Sequence, residues 1–402
     1  MQIPRAVRTT ILWMHLLTGV IAGLVVFIMS VTGVLLAYER QMIEWADGFS
    51  VAPPTADAKP VSVETILANV RTALPEATVS NVSLNADPYK PATVRSGRTT
   101  IFVDPYTGEV LGEGNPKMRA FISSLRGWHR WLALSGEHRD YGKAITGAAN
   151  LGFLFLVMSG FYLWWPRRWT WKVVKPVVIP SSKLKGKPRD FNWHNSLGFW
   201  AAIPLFFIVL TGVFISYRWP RELTDKLLGG RTATQSREGG LRQGSAGEGR
   251  GGERPREPLL EFPAGKLDHL VAEAQRRAVG WKTLSVSLPH EGDKNISVTI
   301  NRSENPRPDT REQLKLKVED GKFAGLTMYS DGPLSRRLTS WVRYLHTGEV
   351  FGVFGQTIAM LASLVGAVLV WTGLALTWRR FRAWRNRRDR PERLMPDEAA
   401  VA

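Results

Sequence analysis

The chain has 402 residues, with 53 Lys and Arg against 35 Asp and Glu, a net charge of +18 and no cysteine. The missing cysteine excludes disulfides, thioether-linked prosthetic groups, cysteine-ligated iron–sulfur clusters and thiol redox chemistry. The basic excess alone would suit a nucleic-acid binder. It gathers at the ends of apolar runs, though, so membrane topology accounts for it and no nucleic-acid partner is expected.

The first apolar run, 11–37, is long enough to cross a bilayer, which takes about 20 residues. Arg5 and Arg8 precede it as they would precede a signal peptide. The run is too long for a signal h-region, and no small-residue cleavage site follows, so it reads as an uncleaved anchor. Three more spans are expected at 144–165, 197–217 and 354–378. Eight basic residues from Arg167 to Arg189 fill the link between the second and third spans, and eight arginines from Arg379 to Arg393 follow the fourth. All of these fall on one side of a four-span path. The positive-inside rule makes that side, with both termini, cytoplasmic.

Between the first two spans the pattern predicts a helix at 61–73 and strands near 77–84 and 99–103. The turn Asp104-Pro105-Tyr106-Thr107-Gly108 then leads into Glu109-Val110-Leu111. This is an α+β module of about 60 residues, a size at which independent folding is marginal. Between the third and fourth spans, 229–258 is rich in Gly, Arg, Glu and Ser and reads as a flexible linker. A helix at 264–278 and strands near 283–288, 295–300 and 313–318 follow. The order repeats, so the chain reads as a tandem duplication of span, outer module, span.

The expected fold class is an α-helical membrane protein with four transmembrane helices and two periplasmic α+β modules. Its expected boundaries are 1–45 (span one), 46–120 (first module), 121–168 (a periplasmic-side helix and span two) and 169–190 (basic cytoplasmic loop). They continue with 191–219 (span three), 220–258 (linker), 259–340 (second module), 341–380 (span four) and 381–402 (basic tail).

Within the spans the duplication fixes register. His15 is followed by Gly19, Thr32-Gly33-Val34 and Tyr38; His194 is followed at identical offsets by Gly198, Thr211-Gly212-Val213 and Tyr217. Gly142 and Gly160 are 18 residues apart, as are Gly355 and Gly373. A histidine at the mouth of a span is costly without a partner. His15 and His194 fall near the cytoplasmic face, whereas His129 (in Trp128-His129-Arg130-Trp131) and His346 (in Leu345-His346-Thr347-Gly348) precede the even spans on the outer side. Two imidazoles opposed at one depth suit a six-coordinate b-type haem, so two haem b groups are expected, one per pair. Gly33 lies five helical turns from His15, about 27 Å along the span. Gly212 stands in the same relation to His194. These glycines offer either flat space for a macrocycle or close helix packing. The outer spacing is uneven, since His129 stands 13 residues before Gly142 and His346 nine before Gly355. His138 falls in the intervening stretch among charged residues and reads as solvated. His269 and His290 read as surface residues of the second module. Met14 and Met158 are alternative axial ligands, although methionine in a span is usually packing. Zinc, copper or non-haem iron is disfavoured because carboxylates and thiolates are missing beside the histidines.

These motifs resemble the PepSY-associated transmembrane family of bacterial inner-membrane proteins. The resemblance runs from His15 to Arg380 and is carried by Trp13-Met14-His15 with Gly19, Asp104-Pro105-Tyr106-Thr107-Gly108, Trp128-His129-Arg130-Trp131, Asn192-Trp193-His194-Asn195 and Leu345-His346-Thr347-Gly348. The second module departs from it, with Val318-Glu319-Asp320-Gly321 and Asp331-Gly332-Pro333 where an Asp-Pro-x-Thr-Gly turn would stand. Ferric-siderophore reductases of the ferrioxamine-reductase type belong to that family. The resemblance therefore implies two b haems across the membrane and periplasmic reduction of siderophore-bound iron(III). The electron donor would be cytoplasmic or a quinol. A ferric siderophore would dock among Arg126, Trp128, Arg130, Trp131, Trp341, Arg343 and Tyr344, residues that also suit plain interfacial anchoring. The rival readings are a transmembrane cytochrome serving another periplasmic acceptor and a non-redox module that binds peptides or restrains a peptidase.

Overall fold

The computed structural model describes residues 5–55, 57–166, 168–228, 259–304 and 307–388. In chain order the helices and strands are α1 (Arg5–Leu36), α2 (Glu39–Asp47), α3 (Val63–Ala73), β1 (Val79–Asn85), β2 (Ala92–Ser96), β3 (Thr99–Val103), β4 (Val110–Glu113), α4 (Pro116–Trp131), α5 (Arg139–Trp164), α6 (Trp171–Val178) and α7 (Gly186–Ser216). They continue with α8 (Trp219–Leu227), α9 (Lys266–Arg277), β5 (Thr283–Ser287), β6 (Asn295–Asn301), β7 (Arg311–Lys317), β8 (Phe323–Thr327), α10 (Leu334–Thr347) and α11 (Gly352–Arg388). The chain divides into two compact units. One is helical, from Met1–Ala37, Ser124–Ser216 and Thr357–Ala402; the other, from Tyr38–Ser123 and Tyr217–Gln356, carries the sheet.

Four helices among the described residues are long and apolar enough to cross a membrane, at Arg5–Leu36, Gly136–Trp164, Gly186–Ser216 and Glu349–Asn386. α1 packs on α5 and α5 on α7. α11 joins through Val370 and Leu374 beside Gly23, and through Ala362 beside Ala201 and Leu205. In a bilayer these helices gain no hydrophobic driving force from meeting, so small residues and close approach carry the contact. A Cβ at Gly152 would lie 3.2 Å from Thr18 Cγ2, and one at Gly366 would lie 3.0 Å from Ser30 Oγ. Ile21, Leu24, Ile203 and Phe207 face outward and exposed, as lipid-facing residues do.

The corner between α4 and α5 is tight. Thr146 Oγ1 donates to the Arg130 carbonyl at 2.8 Å, and Gly142 lies so close to the Trp131 carbonyl that no side chain fits there. Leu132 and Ala133 turn the corner in the left-handed region, at φ 52° and 58°.

Two stretches differ from the sequence expectation. The loop expected at 169–190 contains α6, an eight-residue helix carrying Pro176. The indoles of Trp164 and Trp200 donate to the Val177 and Val178 carbonyls at 3.0 and 2.9 Å. Buried Asn192 donates to the Pro176 and Ile179 carbonyls and accepts from the Ser181 amide. Polar groups on the neighbouring spans thus fold a segment whose own composition reads as loop. The linker expected at 220–258 begins instead with α8, which has Pro220 at its first turn and Glu222 and Lys226 near its two ends. Residues 229–258 lie outside the described residues.

The sheet-bearing unit differs more. The two modules expected from the sequence are halves of one eight-stranded antiparallel sheet, ordered β4-β3-β2-β1-β5-β6-β7-β8. β1 and β5 join them, with Val82 opposite Val286 and Ser83 opposite Ser285. Those two valines hold equivalent positions in the halves, so a pseudo-twofold axis passes between them. Equivalent acids complete the joint. The Glu64 carboxylate in the first turn of α3 accepts from the Gly265 and Leu267 amides at the start of α9, at 2.7 and 2.8 Å. In return, the Asp268 carboxylate of α9 accepts from the Glu64 amide at 3.1 Å. Each helix start, positive by its dipole and rich in free N–H groups, is capped by the other's acid. One continuous core lies between the sheet and both helices, including Ile66, Val70, Leu270, Ala274, Val94, Ile101, Ile296 and Leu316. At about 1.5–3 kcal/mol per fully buried aliphatic side chain, sharing this core relieves the marginal size of each half.

Candidate functional site

Helix packing brings His15 of α1 and His194 of α7 together. Their ring centres are 6.5 Å apart and their planes meet at 87°. Metal–nitrogen bonds of about 2 Å, with about 1.1 Å more from nitrogen to ring centre, put the rings of an axial imidazole pair roughly 6.3 Å apart. The separation therefore fits a metal held between them. Among the described residues no group of three or more His, Cys, Asp or Glu is placed to hold a metal ion. Two imidazoles suit a metal whose remaining positions a macrocycle fills, as haem does.

Each ring is held from a different helix. The Ser159 hydroxyl on α5 donates to the Phe155 carbonyl at 2.6 Å, so its oxygen accepts from His15 Nδ1–H at 2.8 Å. The Thr372 hydroxyl on α11 donates to the Val368 carbonyl at 2.8 Å and accepts from His194 Nδ1–H at 2.9 Å. Each hydroxyl precedes a glycine that makes room for the ring. A Cβ at Gly160 would meet His15 Cε1 at 3.4 Å, and one at Gly373 would meet His194 Cε1 at 3.3 Å. In that Nδ1–H tautomer both Nε2 atoms keep a lone pair, the ligand form of imidazole.

The same arrangement recurs toward the other end of α1. Thr32 Oγ1 donates to the Ile28 carbonyl at 2.7 Å and accepts from His129 Nδ1 at 3.0 Å, and a Cβ at Gly33 would lie 3.5 Å from His129 Cε1. His129 thus sits 17 residues along α1 from the His15 level, about 26 Å at helical rise. His346 lies on α10 of the sheet-bearing unit, half-buried.

The other expected site residues fall as follows. A Cβ at Gly33 would face His129 and Ser363 Oγ, one at Gly212 would lie 3.0 Å from the Asn150 amide, and ones at Gly19 and Gly198 would be in ordinary contact with Leu156 and Leu369. The space at these glycines is filled by protein because the spans close on one another. Asn150, buried in α5, also donates to the Val209 carbonyl at 3.0 Å. Of the expected docking residues, Arg126, Trp128, Arg130 and Trp131 share the end of α4, where the Arg130 and Arg139 guanidiniums lie 4.5 and 3.9 Å from the Trp131 ring centre. On α10, Arg343 is exposed and Tyr344 half-buried, while the Trp341 indole donates to Tyr329 Oη at 2.7 Å. His138 is exposed beside Tyr141, and Met14 and Met158 point outward from their helices.

The sequence reading missed Ser159 and Thr372. A signal was present: a hydroxyl residue followed by glycine recurs in every span, as Thr18-Gly19 and Thr32-Gly33, Thr146-Gly147 and Ser159-Gly160, Thr211-Gly212, and Thr372-Gly373.

At the basic end of the spans, buried Asp190 accepts from Arg189 and from Arg379 Nη2 at 2.9 Å, tying the start of α7 to α11. Arg8 reaches the Leu163 carbonyl near the end of α5 at 2.7 Å. Cations suit a helix C-terminus, and a buried carboxylate requires such partners.

Four apolar spans with half-buried imidazoles among them define a multi-span membrane protein whose surroundings are a lipid bilayer. The sequence profile of the PepSY-associated TM region matches residues 12–380, and the chain belongs to that family. No curated protein matches it significantly.

Proposed function

We propose that this protein is a di-haem b oxidoreductase of the bacterial inner membrane that passes electrons outward to reduce a periplasmic ferric siderophore. The observation that carries the proposal is the His15–His194 pair, with ring centres 6.5 Å apart and both Nδ1 atoms bonded to hydroxyls. Bound between them, haem supplies reversible one-electron exchange at iron. The chain's own part is to present two neutral imidazoles, fix their tautomers and exclude water with the surrounding spans. For the second haem the sequence pairs His129 with His346. The placement of His129 far along α1 from His15 supports a second level of ligation.

The substrate reading rests on the resemblance to ferric-siderophore reductases. Siderophore oxygens are hard ligands that favour iron(III). One electron converts it to iron(II), which they hold far less tightly, and the iron is released. The donor is a cytoplasmic reductant or a quinol. Arg126, Trp128, Arg130 and Trp131 at the end of α4 offer the aromatic and cationic chemistry a bulky oxygen-rich chelate needs. Both termini and the basic end of the spans are assigned to the cytoplasm by the positive-inside rule.

The test is stopped-flow mixing of dithionite-reduced, haem-loaded protein with ferric hydroxamate and catecholate siderophores in the presence of an iron(II) chelator. Each haem oxidised should match one iron(II) captured, two per fully reduced protein. Oxidation by a different periplasmic acceptor, with siderophore iron unreduced, would favour the general cytochrome reading instead.

A further inference from the structure

We infer that Ser159 and Thr372 are positioning residues for the histidine pair, fixing the two imidazole planes perpendicular and so setting the electronic state of an iron bound between them. The inference rests on the haem reading above and concerns residues that take no part in ligation.

Three observations carry it. First, the carbonyls beside each hydroxyl favour one direction of hydrogen bonding. A serine or threonine within a helix turns its proton back to a carbonyl of the preceding turn, and both do so here, to Phe155 and to Val368. With its proton so placed, each oxygen acts as an acceptor for an Nδ1–H tautomer of the histidine that reaches it. Second, the two acceptors stand on different helices, α5 and α11, so each ring is rotated independently to its own partner. The result is the 87° angle between planes. Third, glycine follows each hydroxyl and lies against the ring edge: a Cβ at Gly160 would stand in contact 3.4 Å from His15 Cε1, and one at Gly373 a tighter 3.3 Å from His194 Cε1. Hydroxyl and glycine together specify one rotation. Bonding to a buried imidazole N–H would by itself need only the hydroxyl. The adjacent glycine appears again at Thr32-Gly33 beside His129, so the unit that repeats is the pair.

The acceptor's chemistry also matters. A carboxylate at this position would draw the Nδ1 proton and push the ring toward imidazolate. A hydroxyl that has already spent its own proton on a carbonyl is a weak neutral acceptor, so both rings remain neutral ligands.

The angle between axial imidazole planes governs the magnetic anisotropy of low-spin iron(III), which gives a readout independent of turnover. The experiment is low-temperature electron paramagnetic resonance of the purified, haem-loaded, oxidised full-length protein. The component belonging to this pair is identified as the one lost in His194→Ala. It should be the highly anisotropic low-spin type that perpendicular planes produce. Ser159→Ala and Thr372→Val should keep haem, with affinity lowered about 10-fold, and should move that component toward the rhombic signal of near-parallel planes. Ser159→Thr, which restores the hydroxyl, should return the original signal. If Ser159→Ala does not accumulate, Gly373→Ala serves instead: it keeps the Thr372 hydroxyl, its Cβ would stand 3.3 Å from His194 Cε1 so that the ring must shift, and it should move the same component. A rhombic signal in the unsubstituted protein, or an unchanged signal in the variants, overturns the positioning role and leaves haem binding standing. Absence of haem from the unsubstituted protein overturns the haem reading itself.

Discussion

The turn after β3 and the turn after β7 fold alike from different residues, whereas His15 with Ser159-Gly160 and His194 with Thr372-Gly373 repeat the chemistry itself. In the first turn Gly108 N–H bonds to the Asp104 carbonyl and Asp104 N–H to Glu109; in the second Gly321 N–H bonds to Lys317 and Lys317 N–H to Lys322. Only the glycine recurs, at φ 74° and 70°. Asp104 adds side-chain bonds to the Tyr106 and Thr107 amides, and nothing at Lys317 copies them. A sheet-and-helix module needs an apolar pattern and a residue that tolerates positive φ, so its two copies are free to diverge elsewhere. A ligand pair needs particular atoms at particular distances, so its two copies keep the residues.

That contrast can be broken at several points. The largest effect is expected at Gly373→Val, whose side chain would occupy the place of the His194 ring edge; it should cost about one haem per chain by pyridine haemochrome assay. Next comes Gly108→Ala. Its Cβ would lie 2.6 Å from Asn69 Nδ2 at a positive φ, and it should lower the stability of the sheet-bearing unit by about 2–3 kcal/mol in denaturant melts of the detergent-solubilised protein. Gly321→Ala meets His269 at 3.1 Å and should cost about 1–2 kcal/mol. If the two turns are equivalent in geometry alone, neither substitution should alter haem content. Glu64→Ala removes the carboxylate that caps α9 and should cost about 1–2 kcal/mol, with Asp268→Ala costing about 1. A double-mutant cycle should show coupling between them, because each acid serves the other's helix. The smallest effect is a gain. Ala133→Gly relieves a left-handed alanine at the corner beside His129, where the α10–α11 corner already has Gly348 and Gly352. It should stabilise the fold by about 0.5–1 kcal/mol.

The spans were legible because about 20 uninterrupted apolar residues have few other meanings. The module helices and most strands were legible from their period. β2 and β8 were not; both are short, and β8 holds Gly325 and three exposed residues, so neither alternates cleanly. The union of the modules was hidden too, because β1 and β5 pair across some two hundred residues and no local pattern records such a partner. For the site, the repeat exposed His15 and His194 at once. Their hydroxyl partners were not found, since Ser159 and Thr372 lie 144 and 178 residues away in sequence. A serine or threonine in an apolar span also reads as a residue satisfied by its own helix, which in part it is.

Ligation of one haem by His15 and His194 is decided by haem b per chain, measured on protein produced with haem supplied and extracted in mild detergent. The predicted result is two haems in the unsubstituted protein and one in either His15→Ala or His194→Ala, with the remaining haem common to both variants. A haem-free protein, or variants that keep the full complement, would contradict it.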